Sequence, residues 1–210
     1  MENIGTIILA TGALGTAAFG IIEALKWTRL GEAGFGSILK MLGPILQTLE
    51  IAYGPDYKKL LRAQYRGNQR ELTRLIRQGV RVGLRPENAA PLAVYLGIVD
   101  GAALRAAAEK VISGGDLSAE LRNVLGRFEL AVDARIDAAL TLAQSNYAGA
   151  TRVSASVVAL AIAMAVGLHL GSGYWFQALL VGIAAVPLAP VAKDLVSALQ
   201  AATRAIRTRA

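Results

Sequence analysis

The sequence predicts an all-α integral membrane protein with three transmembrane helices, one N-terminal and two in a C-terminal hairpin, plus a helical cytoplasmic part. Three observations predict it. All 22 Lys and Arg residues lie in two blocks, Lys26–Arg152 and Lys193–Arg209. The two zones without them, 1–25 and 153–192, hold the long apolar runs of the chain. The segment between them carries apolar residues at helical spacing, interrupted by Gly- and Pro-marked breaks.

Composition agrees with that division. The 210 residues are 54% hydrophobic and 18% charged, yet the net charge is +7. Soluble domains carry about 25% charged residues, so the surplus of apolar residues points to lipid. A basic and apolar chain is self-consistent when the two residue types occupy different stretches. Cysteine is absent, which excludes disulfides, thiolate metal sites and cysteine nucleophiles. The high Ala, Arg and Gly content suits a bacterial protein from a GC-rich genome.

The first span is expected at 1–25. Asn3 to Ile22 is uncharged, and about 20 apolar residues cross a hydrocarbon core of about 30 Å. Glu23 and Lys26 close it. The start has no basic residue, unlike the n-region of a secretory leader, so an uncleaved span is expected. The second run is Val153–Leu170, with His169 its one titratable group, and Gly171–Gly173 forms a turn. The third is Tyr174–Ala192, opened by Tyr174 and Trp175, whose amphipathic rings favour the headgroup level, and carrying Pro187 and Pro190 near its end. The hairpin therefore occupies 151–192. Because basic segments remain cytoplasmic, the N-terminus and the hairpin tip lie outside. Residues 26–152 and the basic tail 193–210 lie in the cytoplasm of a bacterial inner membrane.

Residues 26–54 are expected to hold a linker and an amphipathic interfacial helix. Phe35, Ile38, Leu39, Leu42, Ile45, Leu46 and Leu49 share one helical face, with Gly43-Pro44 interrupting it. The cytoplasmic helical domain follows at 55–150. Gly54-Pro55-Asp56 breaks the chain, and Gly67-Asn68 is expected to break it again, with Asn68 and Glu71 placed as in a capping box. A helix is expected from Pro91 to Ile98, another capped by Asp100 and ended by Gly114-Gly115, and a long one from Asp116 or Ser118. In the long helix Leu121, Leu125, Phe128, Val132, Ile136, Ala139 and Ala143 step by four and three. No proline intervenes before Pro187, so it can run from Leu117 to Leu170, roughly 80 Å at about 1.5 Å per residue, with Gly149 the weakest point.

Two charged stripes and three small-residue rows are the candidate sites. Arg62, Arg66, Arg70, Arg74, Arg77, Arg81 and Arg85 follow at steps of three or four; between Lys58 and Arg85 there are nine basic residues and one acid, Glu71. Like charges at this spacing repel by a few tenths of a kcal/mol per pair, so an anion nearby is expected. Anionic lipid headgroups are one source, at about 1 kcal/mol per basic residue. The acidic stripe Glu129, Asp133 and Asp137, in the same chain or a neighbouring copy, is another. A purely solvated face that sets topology remains open. Nucleic acid is disfavoured, because no binding motif and no ladder of stacking aromatics is present. In the spans, Gly12, Thr16 and Gly20, then Ala155, Ala159, Ala163 and Gly167, then Ala178 and Gly182 form rows that allow close helix approach. Glu23 and His169 fall at opposite ends of their spans, which argues against a shared proton relay.

No enzyme is expected. One histidine and no cysteine remove most metal sites, no phosphate-cradling glycine motif or nucleophile elbow occurs, and no cofactor is implied. The expected role is a structural or scaffolding protein that self-assembles into a homo-oligomer through its spans and cytoplasmic helices, in contact with membrane lipids. A pore or transport component, or an accessory subunit among other membrane subunits, is the alternative.

Overall fold

The computed structural model describes residues 2–25, 29–97, 100–171 and 173–185. The fold is all-α, with no strand among the described residues. The expectations that rest on Lys26, the Glu23 side chain, Pro187, Pro190 and the basic tail 193–210 lie outside them. The chain divides into two compact units, residues 32–147 and the paired segments 1–31 and 148–210.

The helical unit 32–147 is built from α2 (Phe35–Leu42), α3 (Ile45–Tyr53), α4 (Tyr57–Gly67), α5 (Gln69–Gly83), α6 (Pro86–Leu96), α7 (Gly101–Ile112) and the first part of α8 (Ala119–Leu170). Four of these starts have a local cause. Asn68 ends α4 and caps α5, its Oδ1 accepting from the backbone N–H of Arg70 at 3.0 Å and Glu71 at 3.4 Å. Asp100 Oδ1 accepts from Ala102 N–H at 2.8 Å, and Ser118 Oγ from Leu121 N–H at 3.2 Å. Helix α6 starts five residues before the expected Pro91, because Pro86 takes the first helical position, where its missing N–H costs nothing. Pro91 is tolerated inside the helix on an exposed side.

The apolar face of α2 and α3 is covered by protein. Ile38, Leu42, Ile45 and Leu49 are fully buried with Leu61, Leu72, Ile76, Leu104, Phe128 and Ile136 in one core. What the sequence offers to a membrane interface is therefore part of this unit's interior. The reason is supply of partners: α4, α5 and α8 each bring a stripe of the same period, and burying apolar faces against one another removes them all from water. Helix α5 crosses α3 most intimately at Gly83, where an added Cβ would run into the Thr48 carbonyl. Asn88 Nδ2 then donates to Gly83 O at 2.8 Å, fixing the turn into α6.

The other unit contains α1 (Glu2–Leu25), the remainder of α8 and α9 (Trp175–Ala185). Among the described residues one helix is long and apolar enough to cross a membrane, Ala119–His169; Thr11–Ile22 and Trp175–Ala185 are shorter apolar helices. Helix α8 continues through Gly149 without a break. Within the unit α1 packs on α9, and the buried contacts are Ala18, Ala159 and Ala185, flanked by Leu14 and Val158. Val157, Val166, Leu168, Phe176, Leu180 and Ile183 are exposed.

Candidate site at the basic stripe

The basic stripe lies on two helices, divided at Asn68, and its members differ in what they meet. On α5, Arg77 Nε donates to Asp133 Oδ1 of α8 at 2.6 Å, and Arg81 Nη2 donates to Glu129 Oε2 at 3.0 Å. Helix α5 runs antiparallel to α8 here: one turn forward on α5 matches one turn back on α8. At the other end of the same contact, Gln144 Nε2 of α8 donates to Gln69 Oε1 of α5 at 3.0 Å. The third acid, Asp137, is exposed and has no ion pair among the described residues. Arg74 pairs with Glu71 on its own helix at 3.3 Å.

On α4 the partner is an acid that sequence reasoning did not single out. Glu32 takes Arg66 in a direct ion pair and lies 3.7 Å from Arg62 Nε. The Arg62 guanidinium also sits 5.5 Å from the Phe35 ring centroid. Glu32 had no visible signal because it is isolated in sequence, and only the fold returns it to α4. Arg70 and Arg85 have no ion pair among the described residues. Arg70 is exposed, while Arg85 lines an open pocket of about 340 Å³ with Glu50, Ile51, Glu87 and Pro91.

The chain enters and leaves the helical unit at one end. Gly34, two residues after the unit begins, is packed so closely on the Ala143 carbonyl that a Cβ there has no room. Asn146 Nδ2 donates to Ser37 Oγ at 2.6 Å. Tyr65 is buried beside this junction, its ring 5.7 Å from that of Phe35. Burial raises its hydroxyl pKa above the ordinary value, Tyr147 adds to the rise, and a hydrogen bond with the Gly34 backbone opposes it. Farther along α8, Arg135 stacks 4.7 Å from the Tyr95 ring centroid and reaches the Tyr95 carbonyl at 3.4 Å, a cation–π contact with no acid partner among the described residues.

The span rows fall on different environments. Ala159, Ala163 and Gly167 are buried and Ala155 half-buried; Gly167 faces Ala178 and Gly182 faces Ala163. In α1 the buried row is Thr11, Gly15, Ala18 and Ile22, while a Cβ added at Gly12 or Gly20 would meet nothing within 4 Å among the described residues and Thr16 is exposed, its Oγ1 donating to Gly12 O at 2.9 Å. His169 is exposed at the end of α8. Among the described residues no group of His, Asp or Glu gathers that could hold a metal ion.

Together these features define an all-α protein with one charge-paired helical unit and one apolar, small-residue-packed unit. Comparison with family models, curated proteins and solved structures gives no match.

Proposed function

We propose that the chain is a bacterial inner-membrane structural protein, anchored by three spans, that self-assembles and presents its helical unit to the cytoplasm. The observation that carries the reading is the inverted size order of the apolar unit. Alanine and glycine make up most of its buried positions, Ile22 being the large exception, while Val157, Leu168, Phe176, Leu180 and Ile183 are exposed. In water that order loses the benefit of burying large side chains. In lipid it is favourable, because tails solvate large apolar groups and helices gain by close backbone approach. The basic-free zones 1–25 and 153–192 fall within this unit and support an outside N-terminus and hairpin tip.

Self-assembly follows from what the interior does not consume. Among the described residues nothing lies within 4 Å of a Cβ added at Gly12 or Gly20, and Thr16 is exposed; a second copy is the partner of matching chemistry. Particle mass in an uncharged detergent or a lipid nanodisc is the test: an oligomer that persists on dilution is expected, and a strict monomer at micromolar concentration would overturn the scaffolding reading.

A further inference from the structure

Of the seven arginines of the stripe, Arg85 lies past the end of α5 and lines the pocket with Glu50 and Glu87; the six from Arg62 to Arg81 are divided by the fold into a neutralised part and an under-neutralised part. Moving along α5 away from the end where the chain enters and leaves the helical unit, Arg77 and Arg81 each meet their own carboxylate on α8. At the near end the balance changes. Arg62 and Arg66 share the single carboxylate of Glu32, and Arg70, just past the Asn68 cap, has none among the described residues. Arg62, Arg66 and Arg70 are all exposed. So two guanidiniums share one carboxylate, and Arg70 adds an exposed cation with no ion pair among the described residues, at the end of the unit where the chain passes, at residues 31 and 148, into the apolar segments.

We propose that this end, with Arg62 and Arg66 held at Glu32 and Arg70 just past the Asn68 cap, binds the phosphodiester headgroup of an anionic membrane lipid. The inference rests on the membrane-anchored reading. Guanidinium matches a phosphodiester well, being permanently charged and offering paired N–H donors to two phosphate oxygens. Charges near an anionic surface count only within a Debye length, about 8 Å at physiological salt; Glu32, which holds Arg62 and Arg66, is one residue along the chain from the apolar segment, whereas Arg77 and Arg81 already have carboxylates of α8 as partners. Glu32 takes two roles here. It orders Arg62 and Arg66, and it competes with the phosphate for them.

That competition gives the proposal a signature that net charge alone does not produce. The full chain, purified in an uncharged detergent, is titrated with short-chain phosphatidylglycerol and with phosphatidylcholine, and bound lipid is read by native mass spectrometry. Phosphatidylglycerol is expected to bind more tightly. Arg70→Gln, which breaks no ion pair, is expected to weaken it about fivefold, in line with about 1 kcal/mol per cation at an anionic surface. Arg77→Gln and Arg81→Gln remove the same formal charge and are expected to leave affinity within about twofold. Glu32→Gln frees two guanidiniums and is expected to tighten binding. Equal losses in all three arginine variants, equal affinity for the two lipids, or weaker binding in Glu32→Gln at unchanged thermal stability would overturn the proposal. Displacement of phosphatidylglycerol by millimolar inorganic phosphate would overturn it too, by pointing to a free-phosphate site. A chain that labelling shows to span the membrane but that ignores phosphatidylglycerol sinks this inference alone; a chain that does not span sinks the reading beneath it.

Discussion

At Tyr65 a buried hydroxyl carries a pH dependence that can be read in advance. Its folded-state pKa is raised above 10, chiefly by burial, whereas in the unfolded chain it titrates near the ordinary tyrosine value. The folded state therefore keeps a proton that the unfolded state has released. Stability is fully present below about pH 10 and is lost as pH rises from there through the folded pKa. Tyr53, also raised by burial, adds to the same alkaline loss. Thermal unfolding followed by circular dichroism should thus hold its midpoint up to about pH 10 and fall above it. Tyr65→Phe should fall less steeply, and an unchanged slope would show that this hydroxyl does not titrate as argued. The ion pairs of Arg77 and Arg81 belong to the same scale but to another class of effect. They are about half exposed, so each contributes about 0.2–1 kcal/mol, and they set register more than stability.

At the scale of elements, the turn at Asn68 decides what the arginines can reach. As one unbroken helix, Tyr57–Gly83 would place its cations on one line. The cap instead ends α4 and restarts α5, so that one set turns to Glu32 and the other to α8. Asn68→Ala removes the acceptor for two backbone N–H groups and is expected to cost about 1 kcal/mol, seen as a lower denaturation midpoint of the helical unit; a shift below measurement would mean that packing alone holds the turn. The caps at Asn68, Asp100 and Ser118 were legible because polar caps before an apolar period are local signals. The start of α6 was not read correctly, since two prolines competed and the earlier one sits at the first helical position. The burial of α2 and α3 was illegible for another reason. An amphipathic face shows its period in sequence but not what covers it, and lipid or protein satisfies it equally.

For the whole molecule, the absence of cysteine makes topology directly measurable. Gly173→Cys and Ser118→Cys place a single thiol at the hairpin tip and at the start of α8, both exposed. In intact cells an impermeant maleimide is expected to label the first and not the second, and lysis should make both reactive. Labelling of Ser118→Cys in intact cells, with Gly173→Cys protected, would reverse the orientation; equal labelling of both would contradict the spans. The candidate site was only half legible at this scale. Both charged stripes could be read as periodic charge, and their pairing was one of several open accounts. Glu32, the acid that organises Arg62 and Arg66, carried no sequence signal, because its relation to α4 spans more than thirty residues of chain.

The sequence by itself determined the helical class, most breaks and caps, and the segregation of basic from apolar stretches. All of these are written in local spacing, which needs no partner to be read. Only the tertiary structure decided which faces meet: α2 and α3 in a protein core, Arg77 and Arg81 on α8, Glu32 between two guanidiniums, and alanine rather than leucine at the contacts of the apolar unit. Those outcomes depend on which of several compatible partners lies within a few ångströms. The chain's periodicity leaves that choice open, and packing makes it.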